Sequence, residues 1–233
     1  MKVEIWSDIF CPFCYIGKRK FEMALEEFSN KSEVEVVYRS FELNPSSPKH
    51  YNEDINGLIA SKYGITYEEA KRNNENIIKQ AANVGLTYNF DTLIPTNSFD
   101  AHRMIHFASK YGKMNEITEK LFIAYFTDSK DISDHKILAD IAESIGLDRY
   151  EALNTLASND YKKEVRADEE EASRLGITGV PFFVFNGKFA VSGAQPTNVF
   201  LNTLEKVLED EKPEDSFNEE SNEESCVGGV CPI

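Results

Sequence analysis

Two thiols stand three positions apart in the segment Cys11-Pro12-Phe13-Cys14, between a strand-like run at residues 3–6 and a helix-like run at residues 18–28. The unpaired N–H groups and the positive dipole end at a helix start favour a thiolate at Cys11. Cys14 lies one turn on, within the Cα separation of roughly 4.4–6.8 Å that a disulfide requires. Pro12 suits the first turn, where its missing N–H is not needed. The spacing predicts thiol–disulfide exchange, with Cys11 as nucleophile and Cys14 as resolving thiol.

Composition narrows the classes of partner. The chain has 233 residues, of which 41% are hydrophobic and 12% aromatic, as in a packed globular protein. Its net charge of −15 disfavours nucleic acid and anionic membranes as partners. Residues 209–225 carry −8 of that charge, so the remaining chain is only mildly acidic. No run of about 18 apolar residues occurs, and the first eight residues resemble a strand rather than a signal peptide. We expect a cytoplasmic protein without a membrane span.

The cysteines and two of the histidines are spaced closely enough to be considered as metal ligands. The four cysteines form two close pairs, Cys11/Cys14 and Cys226/Cys231, which fits redox chemistry or metal binding better than a secreted disulfide scaffold. His102 and His106 are four apart and share one helix face, but no third ligand stands nearby. Packing in the core or between domains is the favoured interpretation of both histidines, and no metal site is predicted.

The order of elements predicts the fold. Residues 34–41 read as a second strand, and residues 54–165 show almost only helical periodicity. Thr66 and Ser133 are predicted N-caps. A helix at 160–175, a strand, a tight turn at Asn186-Gly187, a returning strand and a last helix from Pro196 follow. The helices predicted in the central block cover residues 67–84, 99–111, 117–126, 135–145 and 150–156.

This order corresponds to a thioredoxin fold, an α/β fold, with an inserted all-helical domain and a disordered acidic C-terminal tail. The two halves of the thioredoxin fold are β-α-β and α-β-β-α. The predicted boundaries are 1–45 for the first half, 46–160 for the insert, 161–208 for the second half and 209–233 for the tail.

Several segments together carry a resemblance to a known family. They are residues 7–17, 41–45, 97–103, 179–183 and 192–196. With these segments the chain resembles the DsbA-like thiol–disulfide oxidoreductases of the thioredoxin superfamily, and among them the FrnE-like branch. The resemblance implies a protein disulfide oxidoreductase or isomerase in which Pro181 is cis and faces the two cysteines. It also implies a polar or cationic residue at the position of Phe13 in strongly oxidising relatives, so that this chain would be a milder oxidant.

Further residues near the two cysteines have expected roles. Pro12, Phe13 and Val180 would contact the substrate, the Val180 backbone by pairing with an extended segment. Asp8 would orient the active-site loop or relay a proton for Cys14, with the orienting role favoured. Trp6 would lie in the core at the end of the first strand.

The cysteine pair in the tail leaves three alternatives. A flexible tether of 18 residues spans about 21–25 Å, comparable to the radius of a domain. Cys226 and Cys231 would therefore reach Cys11 and act as a second redox pair. The other readings are an exposed pair without a partner, or a zinc site of four thiolates shared with Cys11 and Cys14.

Two other function classes remain open at this point. The chain also resembles the kappa-class glutathione transferases and the 2-hydroxychromene-2-carboxylate isomerases in its inserted-helix architecture. That resemblance implies a serine-based site at the position of Cys11, and the presence of both cysteines argues against it. The non-enzymatic alternative is a redox-regulated chaperone or binding protein. We expect protein thiols and disulfides or low-molecular-weight thiols as partners, a monomer or homodimer, and no cofactor beyond the redox-active disulfide, with glutathione as a candidate co-substrate.

Overall fold

The structure of the protein, a computed structural model, describes residues 1–211 and 230–232. Strands and helices are numbered in chain order. The strands are β1 Lys2–Ser7, β2 Glu35–Ser40, β3 Phe182–Phe185, β4 Phe189–Ser192 and β5 Val230–Pro232. The α-helices are α1 Pro12–Glu27, α2 Ile55–Tyr63, α3 Tyr67–Ala82, α4 Phe99–Ser109, α5 Met114–Phe122, α6 His135–Ser144, α7 Arg149–Ala157, α8 Lys162–Arg174 and α9 Thr197–Asp210. A short 3₁₀ helix covers Lys31–Glu33, and a π-helical segment, Ile123–Thr127, continues α5.

The five strands form one mixed sheet in the order β2-β1-β3-β4-β5. β1 pairs parallel with β2, and the other three pairings are antiparallel. Successive side chains of a strand point to opposite faces. Val3 and Ile5 of β1 accordingly belong to the main core, where the rings of Phe21, Phe183 and Phe200 pack at centroid distances of 4.7–5.8 Å.

Trp6 faces the other side of the sheet. It is 1% exposed, and its indole N–H donates to the carbonyl of Asp168 in α8 at 2.9 Å. Trp6 belongs to a smaller core with Ala172, Ile177 and Val184. The sheet is therefore covered by helices on both faces, as in a thioredoxin fold, and the predicted core position of Trp6 is observed.

Helices α2 to α7 follow β2 and precede α8, so the helical block is inserted into the thioredoxin fold as predicted. Within this block, Arg103 joins α4 to the end of α7. Its buried guanidinium donates to the Asp100 carboxylate at 2.8 Å and to four backbone carbonyls at the end of α7 and just beyond, including that of Asp160 at 2.9 Å. The carboxylate partner lies on the same helix, one turn away.

The ends of the helices confirm one predicted cap and correct another. Thr66 accepts from the backbone N–H of Glu69, whose side chain reaches back in a capping box. Ser133 does not cap α6. Asp134 does, by accepting from the backbone N–H of Lys136 at 2.7 Å. Asp134 is the residue directly before the first helical position, and carboxylates are strong N-caps.

A fifth strand is an addition to the predicted elements. In β5, Cys231 is in register with Ala190 of β4. The other tail cysteine, Cys226, and the acidic stretch at 212–229, for which disorder is predicted, lie outside the described residues. None of the described helices has the length and the apolar composition needed to traverse a lipid bilayer.

Candidate active site

The two cysteines lie where β1 turns into α1. β1 ends at Ser7, the chain turns so that the Cys11 N–H donates to the Asp8 carbonyl at 3.0 Å, and α1 begins at Pro12. Cys11 occupies the N-cap position, and no side-chain hydrogen bond caps the helix. Both thiols are free and almost fully buried. The local geometry is the one predicted, with one thiol at the helix start and the other one turn later.

The surroundings of Cys14 favour its protonated form. Burial raises the pKa of Cys14 well above its ordinary value, and the adjoining Cys11 raises that pKa further. The nearby Ser7 hydroxyl and the backbone of Asp8 lower it to a smaller extent. Cys11, in contrast, occupies the N-cap position, before the first turn of α1. The two thiols therefore stand in different surroundings, one at the start of the helix and the other enclosed in its first turn.

The cis-proline loop lies directly against Cys11. The Val180–Pro181 peptide bond is cis, as the resemblance implied, and the Cys11 thiol donates to the Val180 carbonyl at 3.5 Å. Behind the loop, a Cβ atom on Gly17 would lie only 2.9 Å from the Pro181 Cγ. Gly193 donates to the Pro181 carbonyl at 2.8 Å. The loop is thus fixed between α1 and the segment after β4.

Gly17 is a site residue that the sequence prediction did not include. A glycine inside a helix costs about 1 kcal/mol relative to alanine, so its presence is a signal of close packing. What it packs against is not visible in the sequence, because Pro181 is far away along the chain.

Asp8 joins the two loops behind the cysteines. Its carboxylate is fully buried and accepts from the backbone N–H of Phe10 at 3.1 Å and of Leu43 at 2.8 Å. One side chain therefore fixes the loop before α1 and the loop after β2. These two bonds support the orienting role for Asp8.

The two histidines of α4 share a face but have different partners. His102 Nε2 lies 3.5 Å from Asp8 Oδ1, whereas His106 Nε2 lies 3.0 Å from Asp168 Oδ2 and 3.1 Å from Ser40 Oγ. Both contacts join the insert to the thioredoxin fold. Within residues 1–211 and 230–232, no three His, Cys, Asp or Glu side chains are grouped to hold a metal ion.

The charge of His102 is set by acidic neighbours. Burial disfavours its protonated form, but the nearby Asp8 carboxylate, with the carboxylates of Glu42 and Glu169, outweighs burial and raises the pKa of His102. The acidic surroundings therefore favour the protonated form of His102, whose charge would offset part of the negative charge of Asp8.

Aromatic residues of the insert pack against the active-site segment. The Tyr88 hydroxyl donates to the Pro12 carbonyl at 2.7 Å, and Tyr125 stacks on Phe10 with centroids 5.2 Å apart. Tyr15, one residue beyond Cys14, stacks on Phe122 at 4.8 Å. The sequence prediction did not single out Tyr88, because it lies in an irregular stretch without periodicity.

The residues proposed to contact substrate lie at the surface of this arrangement. Phe13 is 38% exposed, and Pro12 and Val180 are partly exposed. Leu43, beside Asp8, is 41% exposed. An apolar rim of this kind suits an extended protein segment laid beside Cys11.

Comparison with known proteins gives a consistent result. The family model described as a DSBA-like thioredoxin domain matches residues 2–205. The uncharacterized protein YwbO of Bacillus subtilis is 31% identical over 212 residues, covering 90% of this chain and 96% of its own. The crystal structure of a probable DsbA oxidoreductase of Streptomyces coelicolor, SCO1869, is 39% identical with a TM-score of 0.86, covering 100% of this chain and 99% of its own.

A more distant structure shares the fold. The cytosolic disulfide reductase DsbM of Pseudomonas aeruginosa has a TM-score of 0.64 at 14% identity, covering 90% of this chain and 99% of its own. At that identity the likeness extends to the fold alone.

Proposed function

Because this chain belongs to the DSBA-like thioredoxin domain family, we propose that it is a thiol–disulfide oxidoreductase of the FrnE-like branch that works through Cys11 and Cys14. The observation that carries the proposal is the position of Cys11 at the start of α1, with its thiol 3.5 Å from the carbonyl that precedes the cis-proline. The 39% identity to a probable DsbA oxidoreductase over the full chain supports it.

The proposed reaction is a two-electron exchange. The Cys11 thiolate attacks one sulfur of a substrate disulfide, a mixed disulfide forms, and one substrate thiolate leaves. Cys14 then loses its proton and attacks the Cys11 sulfur, which releases the second substrate thiolate. The substrate gains two electrons, the enzyme is left with a Cys11–Cys14 disulfide, and the proton of Cys14 neutralises a leaving thiolate. Two molecules of a thiol such as glutathione restore the dithiol and become a disulfide.

The substrate would lie against the cis-proline loop. We propose that an extended segment pairs with the backbone of Val180 while Pro12 and Phe13 contact its side chains. Because Phe13 carries no charge, it adds nothing to the stabilisation of the thiolate, and the couple is expected to be a mild oxidant. A reducing cytosol would then favour reduction or isomerisation of substrates over net oxidation.

Trapping tests this function. Cys14→Ala removes the resolving thiol, so Cys11 should accumulate in mixed disulfides with its protein substrates, visible on non-reducing gels and identifiable by mass spectrometry. Cys11→Ala is the matched control and should trap nothing. A Cys14→Ala variant whose Cys11 reacts with a small alkylating reagent yet forms no adducts would favour the binding-protein alternative. Glutathione-conjugating activity would favour the kappa-class transferases.

The second pair, Cys226 and Cys231, is proposed to exchange with the first. The Cys231 backbone lies opposite Ala190 of β4, and the same row of paired residues continues through β3 to Glu4 of β1. Three strand spacings, about 14 Å, therefore separate the backbones of Cys231 and Glu4 across the sheet. Exchange with Cys11 would therefore require β5 to leave the sheet edge.

A variant with both tail cysteines replaced by serine tests the exchange. We expect slower reoxidation of the active-site dithiol by a protein disulfide. Parent-like rates of oxidation, reduction and turnover would contradict the proposal.

A further inference from the structure

The hydrogen bond from Tyr88 to Pro12 joins the helical insert to the redox motif itself. The phenol oxygen lies 2.7 Å from the carbonyl oxygen of Pro12, in the peptide chain between Cys11 and Cys14. Among the described residues, no other side chain hydrogen-bonds a peptide group between the two cysteines. The position is specific, because this carbonyl belongs to the first residue of α1.

Tyr88 is held firmly in this place. Its ring is 4% exposed and lies 4.5 Å, centroid to centroid, from the ring of Phe126. On either side of it, the Thr127 hydroxyl donates to the Thr87 carbonyl at 2.7 Å, and the Asn89 N–H donates to the Phe126 carbonyl at 2.7 Å. The irregular stretch is thus fixed to the π-helical segment, and the hydroxyl has little freedom to turn away.

The phenol acts as a permanent donor. Burial raises the pKa of Tyr88 far above its ordinary value, and the neighbouring Cys11, Tyr15 and Cys14 raise it further. The hydroxyl is therefore neutral at every physiological pH. Its positive end offsets the negative end of the Pro12 carbonyl, in a buried setting where such dipoles are weakly screened.

The two redox states differ in how much they gain from this donor. Reduction of the disulfide allows a negative charge on Cys11, and the disulfide carries none. The Tyr88 O–H points its positive end at the carbonyl of Pro12, the residue next to Cys11, and offsets part of that carbonyl's negative end, so the charged state gains more from it than the disulfide does. A group that stabilises one of two states shifts the equilibrium by its differential interaction.

We propose that Tyr88 is a positioning residue that stabilises the reduced pair of Cys11 and Cys14 and so raises its reduction potential. The helical insert then influences the reduction potential of the Cys11/Cys14 pair as well as the shape of the site. The inference rests on the proposed function only in requiring that Cys11 and Cys14 form a reversible disulfide.

The test is equilibration of the full chain with mixtures of reduced and oxidised glutathione, in which one protein disulfide and two glutathione thiols give one dithiol and one glutathione disulfide. Tyr88→Phe keeps the ring and removes the donor. Its equilibrium constant for reduction should fall three- to tenfold, which is about 14–30 mV at 29.6 mV per tenfold change. The matched control, Tyr15→Phe, removes a hydroxyl that donates to Glu119 at 2.7 Å and should change the constant less than twofold.

A constant for Tyr88→Phe within twofold of the parent would overturn the inference. So would a loss of unfolding free energy that is equal in the oxidised and reduced proteins, because that marks a purely structural bond. If Tyr88→Phe does not fold, Thr127→Val loosens the tether and should shift the constant in the same direction by less, and no shift would again refute the inference. Parent protein that equilibrates with glutathione but traps no protein partner would contradict the proposed function and leave the role of Tyr88 standing.

Discussion

Replacing Gly17 by alanine probes the contact between α1 and the cis-proline loop. The new Cβ would lie 2.9 Å from the Pro181 Cγ and 3.4 Å from the Ala194 Cβ. Carbon atoms in good contact are about 3.5–4.0 Å apart, so the ring or the helix must move by about 0.6 Å or more. Removing a glycine from a helix stabilises the fold by about 1 kcal/mol, and overpacking costs about 1–3 kcal/mol. We expect the unfolding free energy to fall by about 0–2 kcal/mol.

Activity should respond more strongly than stability. Moving Pro181 also moves the Val180 carbonyl, which is already 3.5 Å from the Cys11 thiol. Since a displacement of about 1 Å in a reacting site can cost about a hundredfold in rate, a shift of half that size should cost about tenfold. The assay is the rate of insulin reduction with dithiothreitol, together with urea unfolding of the same samples.

Gly57→Ala is the matched control. This glycine lies in α2, where a Cβ would meet the flexible Glu53 side chain at 3.3 Å. Alanine there should raise the unfolding free energy by up to about 1 kcal/mol and leave the rate unchanged. The packing argument fails if Gly17→Ala behaves in the same way, with higher stability and a parent-like rate.

Three further predictions concern buried charges and use urea unfolding as the measurement. Burial opposes the ionised form of Asp100, but hydrogen bonds from Lys49, Arg103 and His135, with the charge of Lys49, hold its pKa at about 2, so the carboxylate stabilises the fold above pH 3.8 and this contribution is lost as pH falls through about 2. Asp100→Asn should therefore cost about 2 kcal/mol at pH 7 and little near pH 2; an equal cost at both would contradict this. The pKa of His102 is raised, so its contribution to the unfolding free energy should depend on pH in the opposite direction to that of Asp100. The cost of His102→Gln should be greatest below pH 6.5 and decline as pH rises through the raised pKa. Arg103→Met strands four backbone carbonyls and takes one of three partners from the Asp100 carboxylate, so it should cost about 3–5 kcal/mol, and a loss below 1 kcal/mol would refute that expectation.

Local features account for most of what the sequence predicts. The motif from Cys11 to Cys14 needs only a strand end and a helix start, which a dozen adjacent residues specify. Long helices such as α3 show their periodicity directly, and its cap at Thr66 is a three-residue pattern. The cis state of Pro181 came from family resemblance, because spacing alone does not distinguish cis from trans.

The features that escaped prediction depend on contacts between distant segments. α2 is amphipathic only weakly, with Asn56 its one buried residue, so no apolar stripe marks it. Tyr88 matters because the fold brings its hydroxyl to Pro12, and Gly17 matters because the fold brings Pro181 against it. A sequence pattern reports neither distance.

Strand β5 also has a consequence for the behaviour of the protein in concentrated solution. β4 would otherwise present an unpaired row of N–H and C=O groups, and such rows template association between chains. Residues 230–232 occupy that row by pairing with Phe189, Ala190 and Val191. A chain truncated after Asp210 would leave this edge open, and it should self-associate more readily in sedimentation measurements than the full chain. Residues 230–232 thus limit self-association by covering the edge of β4, and this role is independent of the chemistry of Cys231.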